Sequence, residues 1–205
     1  MSEPNTHPKE STITRIITWL LVVGGVVGFL SAFTLAVEKV AILKDPTYQP
    51  SCNLSPLLSC GSVMITKQAE AFGFPNPFIG IAGFAIVVTV GMGILAGAKY
   101  KRWFWLGLEA GTIFGVAFVH WLFFQSVYVI GALCPYCMVV WTVTIPIFWY
   151  TTLYNLQTGA IPTPAKLRRL VSFAQTHHAD ILLVWYLLII AAILSHFWWY
   201  WSTLI

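Results

Sequence analysis

The chain has 205 residues, of which 58% are hydrophobic and only 9% charged, with a net charge of +4 and a mean hydropathy of +0.78. Ordinary globular proteins carry roughly 25% charged residues, and a soluble fold of this size has too little interior to hide so much apolar surface; disorder is excluded on the same ground. So few basic residues, with apolar runs between them, do not make a nucleic-acid surface, so the expected class is an all-α integral membrane protein whose solvent is a lipid bilayer.

A bilayer-spanning helix takes about 20 predominantly apolar residues, and five stretches qualify: 16–37, 77–98, 103–130, 138–157 and 181–205. Residues 1–15 form a polar tail, with Arg15 at the edge of the first span. That span runs uncharged from Ile16 to Val37. Ala36, after small and apolar residues, also suits a signal-peptide cleavage site, but a signal h-region of about 7–15 residues is shorter than this run. An outer loop over 38–76 carries Cys52 and Cys60. The second span opens on Pro77, a good first-turn residue, and stops before Lys99, Lys101 and Arg102. Trp103 and Trp105 open the third as interfacial anchors. A turn containing Cys134 and Cys137 precedes the fourth. Residues 158–180 form a polar loop holding His177 and His178, and the fifth span ends in Trp198, Trp199, Tyr200 and Trp201. Gly24 with Gly28, and Gly107, Gly111 and Gly115, fall at the small-xxx-small spacing that lets membrane helices pack closely.

The distribution of basic residues sets an expected orientation, because cytoplasmic segments are enriched in Lys and Arg. With the N-terminus cytoplasmic, the inner segments hold Lys9, Arg15, Lys99, Lys101, Arg102, Lys166, Arg168 and Arg169, and the outer ones only Lys39, Lys44 and Lys67. The expectation is a multi-pass protein of the cell (inner) membrane with the tail and the 158–180 loop inside. All four cysteines then face the extracytoplasmic side, where disulfides form and persist. No cysteine entered the charge count, so this agreement is independent.

Cys134-Pro135-Tyr136-Cys137 places Cys134 near a helix N-cap and Pro135 at the first helical position. Unpaired backbone N–H groups and the positive dipole end then favour a Cys134 thiolate. Cys137 lies on the same helical face, one turn deeper, and can close a disulfide with Cys134. A c-type haem would need His where Met138 stands. Zinc would need two to four residues between paired ligands, whereas seven separate Cys52 from Cys60, so no metal is expected. Redox exchange is the leading reading, with permanent structural disulfides as the alternative.

Cys52 and Cys60 in the first outer loop, Gly73-Phe74-Pro75-Asn76-Pro77 before the second span, and Cys134-x-x-Cys137 opening the fourth together resemble the vitamin K epoxide reductase (VKOR) family, its bacterial branch most closely. The resemblance covers roughly residues 16–157. It implies a four-helix transmembrane bundle of VKOR type around a quinone pocket, with the fifth transmembrane helix, 181–205, appended. It also implies a membrane thiol–disulfide oxidoreductase that reoxidises an extracytoplasmic thioredoxin-fold partner of DsbA type and passes electrons to a quinone, menaquinone or ubiquinone. By this likeness Cys52 takes the mixed disulfide with the partner, Cys60 attacks Cys134, and Cys137 faces the quinone ring. Asn76 matches a family asparagine that hydrogen-bonds a quinone carbonyl. Thr66 stands where serine is common, and Trp141 replaces a tyrosine of vertebrate members. The indole donates but does not accept, so vitamin K epoxide is not carried over as substrate. Residues 61–73 suit a short helix over the mouth of the bundle.

Glu109 and His120 lie inside the third span, where an ionised group costs about 2.5–3.5 kcal/mol on insertion scales. Both are therefore expected to face the bundle or a watery pocket, or to be neutral. His120 is a candidate proton donor to quinone, and the competing reading is that each hydrogen-bonds another helix. The competing reading of the whole chain is a non-enzymatic membrane subunit or receptor with fixed disulfides. A transporter has little support, with so few ionisable groups within the spans.

Overall fold

The computed structural model describes residues 12–202. Most of the expected tail, with Lys9, and residues 203–205 of the expected fifth span lie outside the described residues. In chain order the helices are α1 (Thr12–Lys44), α2 (Cys60–Met64), α3 (Pro77–Leu95), α4 (Arg102–Ile130), α5 (Pro135–Gln157), α6 (Arg168–Thr176) and α7 (His178–His196). Of these, α1, α3, α4, α5 and α7 are long and apolar enough to cross a membrane. The architecture is an all-α, multi-pass membrane protein.

The helix boundaries differ from the sequence expectation where charges and caps intervene. α1 does not stop at Val37 but carries Glu38 and Lys39 on to Lys44. The two charges continue the helix because each finds partners. Glu38 Oε1 accepts from Ser51 Oγ at 2.6 Å, and Lys39 Nζ donates to the Met64 carbonyl at 2.7 Å. At a rise of 1.5 Å per residue α1 is about 50 Å long, more than the roughly 30 Å hydrocarbon core. α3 ends at Leu95 rather than at 98, closed by a left-handed Gly97 (φ 87°) whose N–H bonds the Ile94 carbonyl. α5 begins three residues earlier than expected, at Pro135, because Cys134 caps it. α7 starts at His178 and breaks at Phe197, ahead of a short turn over Trp198–Trp201.

α1 packs against α3 and α5, and α4 packs against α5. Ile17, Leu21, Phe84, Val87, Trp105, Ile147 and Leu153 form the shared core. The α1–α3 seam is close because it is built on glycine. A Cβ at Gly91 would fall 2.9 Å from the Val22 backbone nitrogen, and one at Gly28 would strike the Phe84 ring. Gly107 and Gly111 behave differently from the packing role their spacing suggests. A Cβ at either would meet nothing within 4 Å, because both line a cavity instead of a helix contact.

α7 lies outside this core. Its attachments are both polar and apolar: Trp185 Nε1 donates to His120 Nε2 at 2.9 Å, Tyr186 Oη to the Thr142 carbonyl at 2.6 Å, and the Tyr150 hydroxyl pairs with His178 Nδ1 at 2.7 Å, while Ile193, with Phe197 just beyond the helix, is buried against Val119, Val127, Leu133 and Trp141. Leu183, Val184, Leu187, Leu188 and Ile190 are exposed along it, an apolar face suited to lipid rather than water.

Candidate redox active site

The α1–α3 and α4–α5 connections lie at the same end of the bundle, and backbone pairing joins them. Leu133 N donates to the Leu57 carbonyl at 2.8 Å and Ser59 N to the Leu133 carbonyl at 2.9 Å, an isolated parallel bridge between Leu58 and Leu133. This register brings the next residues of each segment, Cys60 and Cys134, together. Ser59 caps α2, its Oγ accepting from Ser62 N. Asn53 Oδ1 accepts from Gly61 N at 2.9 Å and from Ser59 Oγ at 3.1 Å, so the loop before α2 is bound to its own first turn.

Cys52 and Cys60 form a disulfide, their Cα atoms 5.6 Å apart, while Cys134 and Cys137 are thiols. Cys134 Sγ lies 3.2 Å from Cys60 Sγ. The four cysteines thus make one contiguous path: a closed outer pair, a sulfur–sulfur contact, and an open inner pair. Cys60 and Cys134 are fully buried, and Cys52 is only 5% exposed. Cys52 packs in a cluster with Leu35, Cys60, Met64 and Cys134, so attack on it by another protein requires that packing to open.

Cys134 is the N-cap of α5, its sulfur accepting from Cys137 N at 3.4 Å, with Pro135 at the first helical position. The Cys137 side-chain hydrogen bond, ahead of the opposing effect of burial, holds the Cys134 thiol below the usual cysteine range, and backbone N–H groups of Cys137 and Tyr136 add to it. A free thiol whose thiolate form is favoured, in contact with a disulfide sulfur, is the arrangement that thiol–disulfide exchange needs.

Beneath the cysteines a cavity of about 450 Å³ opens between α1, α3, α4 and α5, within the size range of small-molecule pockets. Cys134, Cys137 and Trp141 border it, with Phe84, Leu108, Phe118 and Ile147 among its apolar walls. Gly83, Gly107 and Gly111 widen it by contributing no side chain. Lys67–Glu70, a 3-10 turn, and α2 cover its mouth through Gln68, Ala69, Val63 and Met64.

Of the residues singled out from sequence, Asn76 and Trp141 line this cavity and Thr66 and His120 do not. Asn76 Nδ2 donates to the Gln68 carbonyl at 2.7 Å and its Oδ1 accepts from Ala71 N at 3.0 Å. It holds the covering turn in place and retains one N–H. Trp141 is 5% exposed and stands edge-on to Phe123. Thr66 donates its hydroxyl to the Val63 carbonyl at 2.7 Å, ending α2. His120 turns to α7: Nδ1 meets the Val116 carbonyl at 2.7 Å and Nε2 accepts from Trp185, so both ring nitrogens are engaged away from the cavity. Glu109 does face the bundle, accepting from Thr152 Oγ1 at 2.7 Å and Asn155 Nδ2 at 2.9 Å, as a clasp between α4 and α5.

Three cavity residues escaped the sequence reading. Lys39 entered it only as an outer positive charge, though a Lys directly after 22 uncharged residues (16–37) and Glu38 was a visible signal. Gln125 and Ser126 stand where α4 widens into a π-turn over Gln125–Ile130, a departure no periodicity reveals. Neither uses its side chain in a hydrogen bond among the described residues. Among those residues no group of three or more His, Cys, Asp or Glu is placed to hold a metal.

A capped thiol pair reaching a buried disulfide through one sulfur contact, in the wall of a membrane bundle, is the arrangement of a membrane disulfide oxidoreductase. Residues 19–152, well over half of the chain and including all four cysteines, match the family described as the Vitamin K epoxide reductase family, and the protein belongs to that family.

Proposed function

We propose that this protein takes electrons from an extracytoplasmic thioredoxin-fold protein of DsbA type and passes them to a membrane quinone, so supporting disulfide formation in exported proteins. The observation that carries this reading is the position of Cys137. It closes the cysteine path at one end and borders the apolar cavity at the other. A DsbA-like partner is a strong oxidant, at about −120 mV, so its regeneration calls for an acceptor such as a quinone.

The residues divide the work as follows. A partner thiolate attacks Cys52, the Cys52–Cys60 bond breaks, and Cys60 leaves as thiolate. Cys60 then attacks Cys134 of an oxidised inner pair across the contact that now measures 3.2 Å, releasing Cys137. The second partner thiol resolves the mixed disulfide at Cys52. Resolution of the Cys60–Cys134 bond by Cys52 leaves the inner pair reduced and the outer pair closed, the cysteine state present in the structure. When bound, a quinone supplies a two-electron acceptor. Phe84, Phe118 and Trp141 would hold its ring, the covering turn that Asn76 anchors would exclude water, and Asn76, Gln125, Ser126 and Trp141 would offer donors to its oxygens. The size and apolar lining of the cavity fit such a group. By the charge count, the cysteine end is extracytoplasmic and the N-terminus cytoplasmic, with residues 16–157 as the catalytic bundle, 158–180 as an inner loop and 181–205 as an added span.

The test mixes the purified protein with a reduced thioredoxin-fold partner and a short-chain quinone and follows quinol formation. Cys137→Ala is expected to abolish it. Quinol formed by that variant at the rate of the unaltered protein would overturn the reading.

A further inference from the structure

Among the described residues Lys39 is the one charged side chain lining the cavity. Its side chain is 7% exposed, and Nζ lies 2.9 Å from Glu70 Oε1 and donates to the Met64 carbonyl at 2.7 Å. An ammonium carries three N–H donors, so two are engaged and one remains for the cavity. The Glu70 side chain is 39% exposed, on the turn that covers the cavity mouth. The pair therefore runs from the exposed covering turn at the cysteine end into the apolar cavity.

Stability alone is a poor reason for such a pair, because removing both ions from water offsets most of their attraction. Ionisable groups on spanning helices recur instead in proton relays. The neighbouring charge, Glu38, turns to Ser51, and His120 is bound to Val116 and Trp185. Cys134 and Cys137 are the other titratable groups bordering the cavity.

We propose that Lys39 delivers a proton to the electron acceptor in the cavity and is reprotonated through Glu70 from water at the cysteine end. This rests on the proposed transfer to quinone and supplies its missing proton route. In this step Cys134 reacts as the thiolate and Cys137 as the thiol. As the Cys134–Cys137 bond forms, two electrons pass to the quinone, whose two oxygens take one proton from the cysteine pair and one from Lys39 Nζ. Thiolate, thiol, ammonium and quinone become disulfide, neutral amine and quinol, with atoms and charge conserved. Glu70, protonated from water, then returns a proton to Lys39.

The experiment uses the full-length protein with a short-chain quinone. Lys39→Arg keeps the charge and both partners, but a guanidinium does not release its proton in proteins. Single-turnover quinol formation is expected to fall at least tenfold. Quinone affinity, read from tryptophan fluorescence quenching in a Cys137→Ala background, and the rate of partner exchange with Cys52–Cys60 are expected to stay unchanged. Glu70→Gln, at a half-exposed position that cannot unfold the bundle, is expected to leave the first turnover near normal and slow those that follow. Lys39→Arg forming quinol at the normal rate would show that only the charge matters and would overturn the proposal. Equal losses of affinity and rate would make Lys39 a ligand-positioning residue and overturn it too. If the unaltered protein exchanges disulfides with its partner yet forms no quinol, the premise of quinone transfer fails and the Lys39 route falls with it.

Discussion

Gly111 offers a way to fill the cavity without disturbing the helices around it. A Cβ there meets no atom within 4 Å, and the residue lies in the cavity wall on α4. Gly111→Leu places four carbons in a space of about 450 Å³, excluding at least as many ligand atoms. At about 0.3 kcal/mol per ligand atom this removes about 1.2 kcal/mol of binding, close to tenfold in affinity. The fold does not suffer, because leucine is the better helix former by up to about 1 kcal/mol. The expected result is a tenfold higher KM for a short-chain quinone, with an unchanged Tm and an unchanged rate of thiol exchange between the partner and Cys52–Cys60. An unchanged KM in a well-folded Gly111→Leu protein would refute the placement of the acceptor in this cavity.

Gly25→Ala tests the opposite kind of glycine. Its Cβ would lie 2.7 Å from Val88 Cγ2 and 3.2 Å from the Val88 backbone nitrogen, and overpacking of this sort costs about 1–3 kcal/mol, read as a lower Tm. In Cys137→Ala, Cys134 has no inner partner and is expected to exchange across the 3.2 Å contact onto Cys60, leaving Cys52 as the thiol that alkylates; persistence of Cys52–Cys60 would argue against the path. Cys134, held below the ordinary thiol value of 9.0 chiefly by the Cys137 side chain, is expected to show thiolate absorbance at a pH where a free cysteine is protonated. A lowered folded-state value means that the associated stabilisation is present above the free-cysteine value and is lost as pH falls through the folded one. Cys137→Ala should move that titration upward. His120→Phe removes the bond to Trp185 and is expected to lower stability by about 0.6 kcal/mol, the average for side-chain hydrogen bonds within membranes; a collapse of quinol formation instead would return His120 to proton transfer.

Much of the site was legible because its chemistry is local. Cys134 as N-cap with Pro135 behind it follows from residue spacing, and the structure has that cap. The cysteine pairs share one end because the number of spans between them sets it, and the Leu58–Leu133 bridge joins those ends. Where two long-range partners decide the outcome, sequence reading ran short. The end of α1 depended on Ser51 and Met64, far along the chain, satisfying Glu38 and Lys39. His120 belongs to α7 because Trp185 reaches it, and Gly107 and Gly111 open a cavity because no helix fills the space before them.

The sequence by itself determined the solvent, the spans and the chemistry: an apolar chain with few charges must lie in a bilayer, and a proline-capped cysteine pair is built for exchange. Tertiary structure decided which sulfur touches which, which glycines pack and which make room, and that Lys39 faces the cavity while His120 does not. The division is physical. Hydropathy and capping act over a few neighbouring residues, whereas a cavity and a buried ion pair exist only once separate helices have docked.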